Sequence, residues 1–292
     1  MRSWISLGLL ATAVIALGAW LYMKPPAREA ETHALSPLKR GDVKGVRLER
    51  RDGLIVLERR DATWRMTAPF AARADTFQIG RLLSILDARS AVRYPASDLG
   101  RFGLEPPLAR LTIEDQSFGF GAINTTTREQ YVLTRDAVYL APLGPGAALP
   151  RDAQAVLARE LFAPDESPVR LELPHFTAAL EEGSWRIQPA GSEASADERT
   201  AWAHAWQNAI ALRAARYEGP QPRDAIKVTL KNGASLALGI ARREPELVLV
   251  RPDEGVAFHF AAANAKRLLS PPGPADAPAN NTAPRSPLPA PR

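Results

Sequence analysis

An α+β fold built from two tandem, similar units is predicted by three observations. A stretch of alternating apolar and charged residues ending in Trp-Arg occurs twice, at residues 46–66 and 169–187. Each copy is followed by a capped helix pattern, and each helix by Ala-x-Arg-Tyr, at residues 91–94 and 214–217. Each half then continues with further short alternating runs bounded by turn residues. Repetition on this scale defines architecture before it says anything about chemistry. Each unit is expected to be an antiparallel meander extended into a sheet, with one helix packed on it.

The chain begins with residues 4–22, a run of 19 residues without a charge. That is close to the roughly 20 residues a helix needs to span hydrocarbon. Trp4, Trp20 and Tyr22 stand at its ends, where amphipathic rings favour the membrane interface. A cleaved signal peptide has a shorter apolar core and a small-x-small exit. The length here favours an uncleaved anchor over residues 1–23. Residues 24–41, with Pro25, Pro26 and Pro37, read as a polar spacer.

The first unit is expected over residues 42–162. Val46 and Leu48 alternate with Arg47 and Glu49, and Asp52-Gly53 sits between two such runs, a strong hairpin signal. Ile55 and Leu57 continue the pattern. A second turn at Asp61-Ala62 leads to a third strand carrying Trp64 and Met66. Asp75 followed by Gln78 marks a helix start, and Ile79, Leu82, Leu83 and Leu86 form one apolar stripe. Residues 97–107 then form a stiff loop containing Gly103, Pro106 and Pro107. Four strands are expected at 109–113, 117–120, 130–134 and 137–141. Residues 144–150, rich in Gly and Pro, read as a linker, and 151–162 as a short helix.

The second unit is expected over residues 163–270. Its meander ends at Trp185-Arg186, and its helix opens with a fuller capping box, Ser195 with Glu198. Trp202, Trp206 and Ile210 follow at helical spacing. Strands are expected at 226–230, 235–240, 246–250 and 256–260, with an Asn232-Gly233 turn, and a closing helix at 261–269. The tail, 271–292, has eight prolines in 22 residues and lacks the apolar bulk for a core.

Composition and motifs exclude several chemistries. The chain has no cysteine, so disulfides, thiolate metal sites and Cys nucleophiles are out. The net charge of +5 is carried almost wholly by arginine, interspersed with acids rather than massed with aromatics, which argues against nucleic acid. His33, His175, His204 and His259 lack metal-ligand spacing. There is no Gly-x-Ser-x-Gly and no phosphate loop. The carboxylate pairs Glu181-Glu182 and Asp197-Glu198 have structural reasons, at a strand end and in a helix first turn. Asn124-Thr125-Thr126 is a glycosylation-type sequence read as a polar loop. No enzyme, cofactor or metal is expected.

The motifs resemble the domain-of-unknown-function 4340 family. The residues that carry the resemblance are Trp64, Asp98-Leu99, Phe102-Gly103-Leu104 and Pro106, then Gly121, Tyr131-Val132 and Val138-Tyr139-Leu140. They cover about residues 42–141. The second unit keeps Trp185, but Glu218-Gly219-Pro220 replaces the Gly-Leu-x-Pro motif. The family residues Trp64, Gly103, Leu104, Pro106 and Trp185 read as structural, and the resemblance supplies no catalytic residues. It implies a single-span protein of the bacterial inner membrane with its body in the periplasm, in some cases beside an ABC-type exporter. The function expected is therefore a non-enzymatic module that binds an envelope protein partner. A glycan- or lipid-binding domain is the alternative.

Overall fold

The structure is a computed structural model that describes residues 32–61, 63–189 and 194–273. The expected anchor at 4–22 and nearly all of the proline-rich tail lie outside the described residues. Among the described residues no helix is long and apolar enough to cross a membrane.

The first half contains β1 (His33–Ala34), β2 (Gly45–Arg50), β3 (Gly53–Arg60), β4 (Thr63–Ala68) and β5 (Ala72–Arg73). Helix α1 (Thr76–Leu82) runs on as a 3-10 turn, and β6 (Arg89–Ser90), β7 (Arg93–Pro95), β8 (Ala109–Ile113), β9 (Gln116–Asn124), β10 (Glu129–Thr134) and β11 (Ala137–Pro142) follow. After α2 (Leu143–Ala147) come β12 (Pro168–Glu172), β13 (Thr177–Glu181), β14 (Ser184–Gln188) and α3 (Ala196–Gln207). The chain then forms β15 (Arg213–Arg216), β16 (Asp224–Leu230), β17 (Ser235–Arg242), β18 (Leu247–Arg251), β19 (Val256–Phe260) and α4 (Ala262–Leu269).

These strands make antiparallel sheets with few helices, an α+β architecture. A nine-stranded sheet has the order β5-β4-β3-β2-β8-β9-β10-β11-β7, and an eight-stranded sheet has β14-β13-β12-β16-β17-β18-β19-β15. Apart from the added edge strand β5, the two orders correspond strand for strand. The registers correspond too. Glu49 lies opposite Arg110, and Arg110 opposite Gly119; Glu172 lies opposite Lys227, and Lys227 opposite Ala237. The tryptophans differ slightly. Both stand second after their hairpin turn, opposite Arg59 and Leu180. Leu48 lies opposite Ile55 and Leu171 opposite Ala178, so β3 runs two residues further to its turn than β13. Trp64 is thus displaced by one pleat relative to Trp185.

The capping chemistry follows the sequence. Asp75 accepts from the backbone N–H of Phe77 and Gln78, and Ser195 and Glu198 form the full reciprocal box. Apolar residues of both units, from Leu35 to Leu268, belong to one continuous core.

Four expectations are corrected. The spacer does not reach residue 41, because Leu35 is buried in the core and β1 pairs with β6. Residues 144–150 are not a linker: α2 begins at Leu143, so Pro145 falls in the first turn, where its missing N–H costs nothing. Residues 151–162 are not a helix. Only Ala153–Val156 turn, as a 3-10 segment capped by Asp152. Beyond it the chain is extended and knits the halves together: Ala158 N–H donates to Arg73 O, Leu161 N–H to Ala209 O, and Ala211 N–H to Arg159 O. Tertiary pairing overrides helix propensity there. Finally, α3 stops at Gln207, and Ile210 is exposed in an isolated bridge with Glu160 rather than completing the Trp202 and Trp206 face.

Candidate functional site

The motif loop is held by two residues in the left-handed region, Asp98 at φ 50° and Gly103 at φ 66°, on either side of a 3-10 turn, Leu99–Phe102. Gly103 N–H donates to Gly100 O, and Leu104 N–H to Leu99 O. The loop lies flat on the face of β9 that points away from the main core. A Cβ on Gly121 would stand 2.3 Å from Phe102 O and 2.8 Å from Leu104 Cγ, and one on Gly103 would stand 3.0 Å from Ala122 Cβ. The glycines therefore allow backbone to rest on backbone. Phe102 and Leu104 are buried with Val138, flanked by Tyr94, Leu99, Tyr131 and Leu133. The Phe102 ring sits 4.9 Å from that of Tyr131, and the Arg101 guanidinium covers it at 4.4 Å. The Glu105-Pro106 peptide is cis.

The placement of the sequence-predicted residues follows from this. Gly103, Leu104 and Pro106 all belong to the loop on the outer face. Trp64 and Trp185 are buried in the main core, on the third strand of each meander, and line none of the clefts described below. The five residues therefore do not form one site.

Beside the loop runs a cleft of about 560 Å³. Its apolar wall is Leu99, Leu104, Pro107 and Leu133, and its floor includes Gly119 and Ser117. Arg110, Asp115 and Arg135 supply charge, and Pro37 and Leu38 close one end. That end is fixed by Gln116, whose amide donates to Leu35 O and Thr134 Oγ1 at 2.8 Å and accepts from Ser36 Oγ at 2.7 Å. A second cleft, of about 670 Å³, shares Pro107 and Arg110 with the first and adds Glu49, Arg50, Arg51 and Leu108. Leu108 is 62% exposed. Arg110, Arg135, Arg51 and Gln116 were missed by sequence reasoning; the alternation at 109–113 marked Arg110 as outward-facing, but nothing local marked it as part of a cleft.

In the second unit other residues cover the outer face, while Lys227 and Ala237, the counterparts of Arg110 and Gly119, are exposed. Tyr217 donates its O–H to Pro220 O at 2.5 Å and packs on Val248, Val250 and Ala257. Pro222 lies where a Cβ on Gly239, the counterpart of Gly121, would meet it at 2.6 Å. The departure from the motif at Glu218-Gly219-Pro220 is thus a different way of covering the same strands. Charge differs as well. Lys227, the counterpart of Arg110, is 4.0 Å from Glu172. Glu172 is also engaged by Arg170 at 3.0 Å, as Glu49 is by Arg47 at 2.6 Å; among the described residues Arg110, Arg135 and Arg51 have no ion-pair partner.

The other charged clusters have structural explanations. Arg251, with a side chain only 3% exposed, binds both oxygens of Glu166 at 2.6 and 2.8 Å and also Asp253. Arg73 meets Glu254 at 2.5 Å and donates to the carbonyls of Glu160 and Leu161. This network ties β5, the extended segment and the β18–β19 turn together. Burial pushes the Glu166 carboxyl up, but hydrogen bonds from Arg251 and from the Ala163 N–H, with the nearby cations, hold it below its ordinary value. Glu246 accepts from His259 Nδ1 at 2.9 Å, and that bond, helped by Arg213 and Arg242, lowers its pKa. Asn124 Oδ1 accepts from the N–H of Thr126 and Thr127, so the Asn-x-Thr sequence forms a local turn. Among the described residues no group of three or more His, Asp or Glu could hold a metal ion.

The fold and its outer-face loop define a class: paired antiparallel sheets of common strand order, each with a loop packed on its outer face. Residues 64–233 match the family described as domain of unknown function (DUF4340), and the chain belongs to that family. The matched region starts at Trp64 and runs through the whole second meander, further than the motifs of the first unit alone reach. No curated protein and no solved structure matches the chain.

Proposed function

We propose that this chain is a non-enzymatic module that binds a protein partner of the bacterial envelope, with its body held on the periplasmic side of the inner membrane by residues 4–22. The observation that carries the reading is the open outer face of the first sheet. There the family motif and three arginines without ion-pair partners among the described residues border two neighbouring clefts. Sites for binding rather than chemistry need concavity, apolar wall and a few placed charges. An ABC-type exporter or its auxiliary subunit is the partner that the family resemblance suggests. Glycan or lipid binding is the weaker reading, because Tyr94, Phe102 and Tyr131 pack on one another and do not line the cleft.

The test is a photo-crosslinking residue placed at Leu108 in cells, with a second at Ala225 on the matching strand of the other unit. A defined protein adduct at Leu108 and none at Ala225 is expected. Adducts at neither position, in cells where the protein is present, would overturn the reading. A phosphatase fused after Leu269 checks the side of the membrane, since it is active only if exported.

A further inference from the structure

We infer that the outer-face cleft of the first unit takes an extended acidic peptide segment, with carboxylates alternating with aliphatic side chains. This rests on the reading of that face as a partner site and names the chemistry of the partner.

Shape comes first. The two clefts share Pro107 and Arg110 in their lining and together run along β8 from the hairpin turns at Asp115 and Arg135 to the exposed Leu108. This is an elongated trough, too long for one headgroup and suited to several residues of extended chain. Arg110 lies opposite Gly119, and Gly119 opposite Leu133, two residues before Arg135. Strand spacings then place the Arg110 and Arg135 Cα atoms roughly 12 Å apart, a span of about four residues of extended peptide. The wall between them is Leu99, Leu104, Pro107 and Leu133, which suits aliphatic side chains at the alternate positions.

Charge comes second. Four arginines border the trough against two carboxylates, Glu49 and Asp115. Arg47 already occupies Glu49, and Arg50 donates to Pro150 O. Arg51, Arg110 and Arg135 are exposed, without ion-pair partners among the described residues, and each is free to meet a carboxylate. An anionic bilayer fits less well. Apart from Leu108 the apolar residues lie inside a trough rather than protruding, and Asp115 and Glu49 would face a like-charged surface.

The experiment is fluorescence anisotropy with the full chain in detergent and a labelled octapeptide of alternating glutamate and leucine. Binding that weakens with salt is expected, with no binding of the lysine-leucine counterpart. Replacing Arg110 and Arg135 together by Glu should weaken it at least about tenfold, since charge pairs at an interface govern both recognition and salt dependence. Gly119→Leu fills the floor without changing charge and should also abolish binding. Lys227→Glu, at the counterpart position in the second unit, should leave it unchanged. Thermal melts of each variant separate loss of binding from loss of fold. Equal binding of the lysine peptide, or undiminished binding by the double variant, would overturn the inference. So would arginine-dependent binding to phosphatidylglycerol vesicles with none to the acidic peptide. If the peptide fails to bind while Leu108 still forms its defined adduct in cells, the partner site stands and only its acidic chemistry falls.

Discussion

Replacing Gly121 by alanine should destabilise the chain, whereas the same change two residues earlier should not. The Cβ on Gly121 would lie 2.3 Å from Phe102 O and 2.8 Å from Leu104 Cγ, both on the motif loop. Carbon contacts are comfortable near about 3.5–4.0 Å, so the loop must retreat by roughly 1 Å. That movement lifts Phe102 and Leu104 from Val138 and Tyr131. Overpacking of this kind costs about 1–3 kcal/mol. At Gly119 the nearest atom to a new Cβ is Pro107 Cβ at 3.6 Å, an ordinary contact. Alanine there removes chain entropy from the unfolded state and should be neutral or stabilising by about 0.5 kcal/mol. Gly239→Ala repeats the test in the second unit, where the Cβ would meet Pro222 Cγ at 2.6 Å. Urea unfolding followed by tryptophan fluorescence measures all three. Equal stability of the Gly119 and Gly121 variants would refute the reasoning, because it would mean that the loop does not rest on that strand.

Arg251→Ala should cost about 3–5 kcal/mol, since it removes the buried guanidinium and leaves half-buried Glu166 without its bidentate partner; a melting temperature within a degree or two of the parent would contradict this. Trp206→Phe should cost about 1–2 kcal/mol, because the buried indole N–H donates to Leu268 O at 3.0 Å and ties α3 to α4. Trp64→Ala and Trp185→Ala should each cost about 3–5 kcal/mol in the same unfolding assay, as both indoles are buried. The pH dependence has a definite sign. Glu166 is held below its ordinary value of 4.5, so its contribution is fully present above that value and is lost as pH falls through the lower folded value. Unfolding followed from pH 6 to pH 3 should therefore show stability falling in the acid range, with a smaller fall in Glu166→Gln; identical slopes would discard the network as the cause.

Much of the sheet architecture was legible because antiparallel strands with one face in the core must alternate. Val46, Leu48, Ile55 and Leu57 point inward, and Arg47 and Glu49 outward, a pattern that period two makes visible. Helix starts were legible where a side chain caps its own backbone, as Ser195 and Glu198 do. What was not legible depends on residues distant in sequence. Pro145 reads as a breaker until the helix start at Leu143 is known. Residues 157–161 look helical until their N–H groups find partners beyond their own segment. The cleft is the same case: its end is built by Leu35, Ser36 and Gln116, brought together over about 80 positions by the Gln116 amide. No local window contains that arrangement.

The two units differ where a functional surface would be expected to diverge from its copy. In both, a glycine on the second strand after the loop receives whatever covers the outer face: Phe102 and Leu104 at Gly121, Pro222 at Gly239. In the first unit Pro107 and Leu104 reach Gly119 and the trough runs beside them; in the second, Tyr217 and Pro222 close over Gly239 and the valines of β18, and Ala237, the counterpart of Gly119, is exposed. In charge, Lys227 stands 4.0 Å from a Glu172 that Arg170 already engages, while Arg110 has no ion-pair partner among the described residues. Covering a sheet face with its own loop stabilises a fold. Arginines left along the first unit's cleft without ion pairs among the described residues forgo that stabilisation, and the proposed bound partner is a physical reason for leaving them there. The two units are joined through the extended segment and the Arg73, Arg251 and Glu254 network.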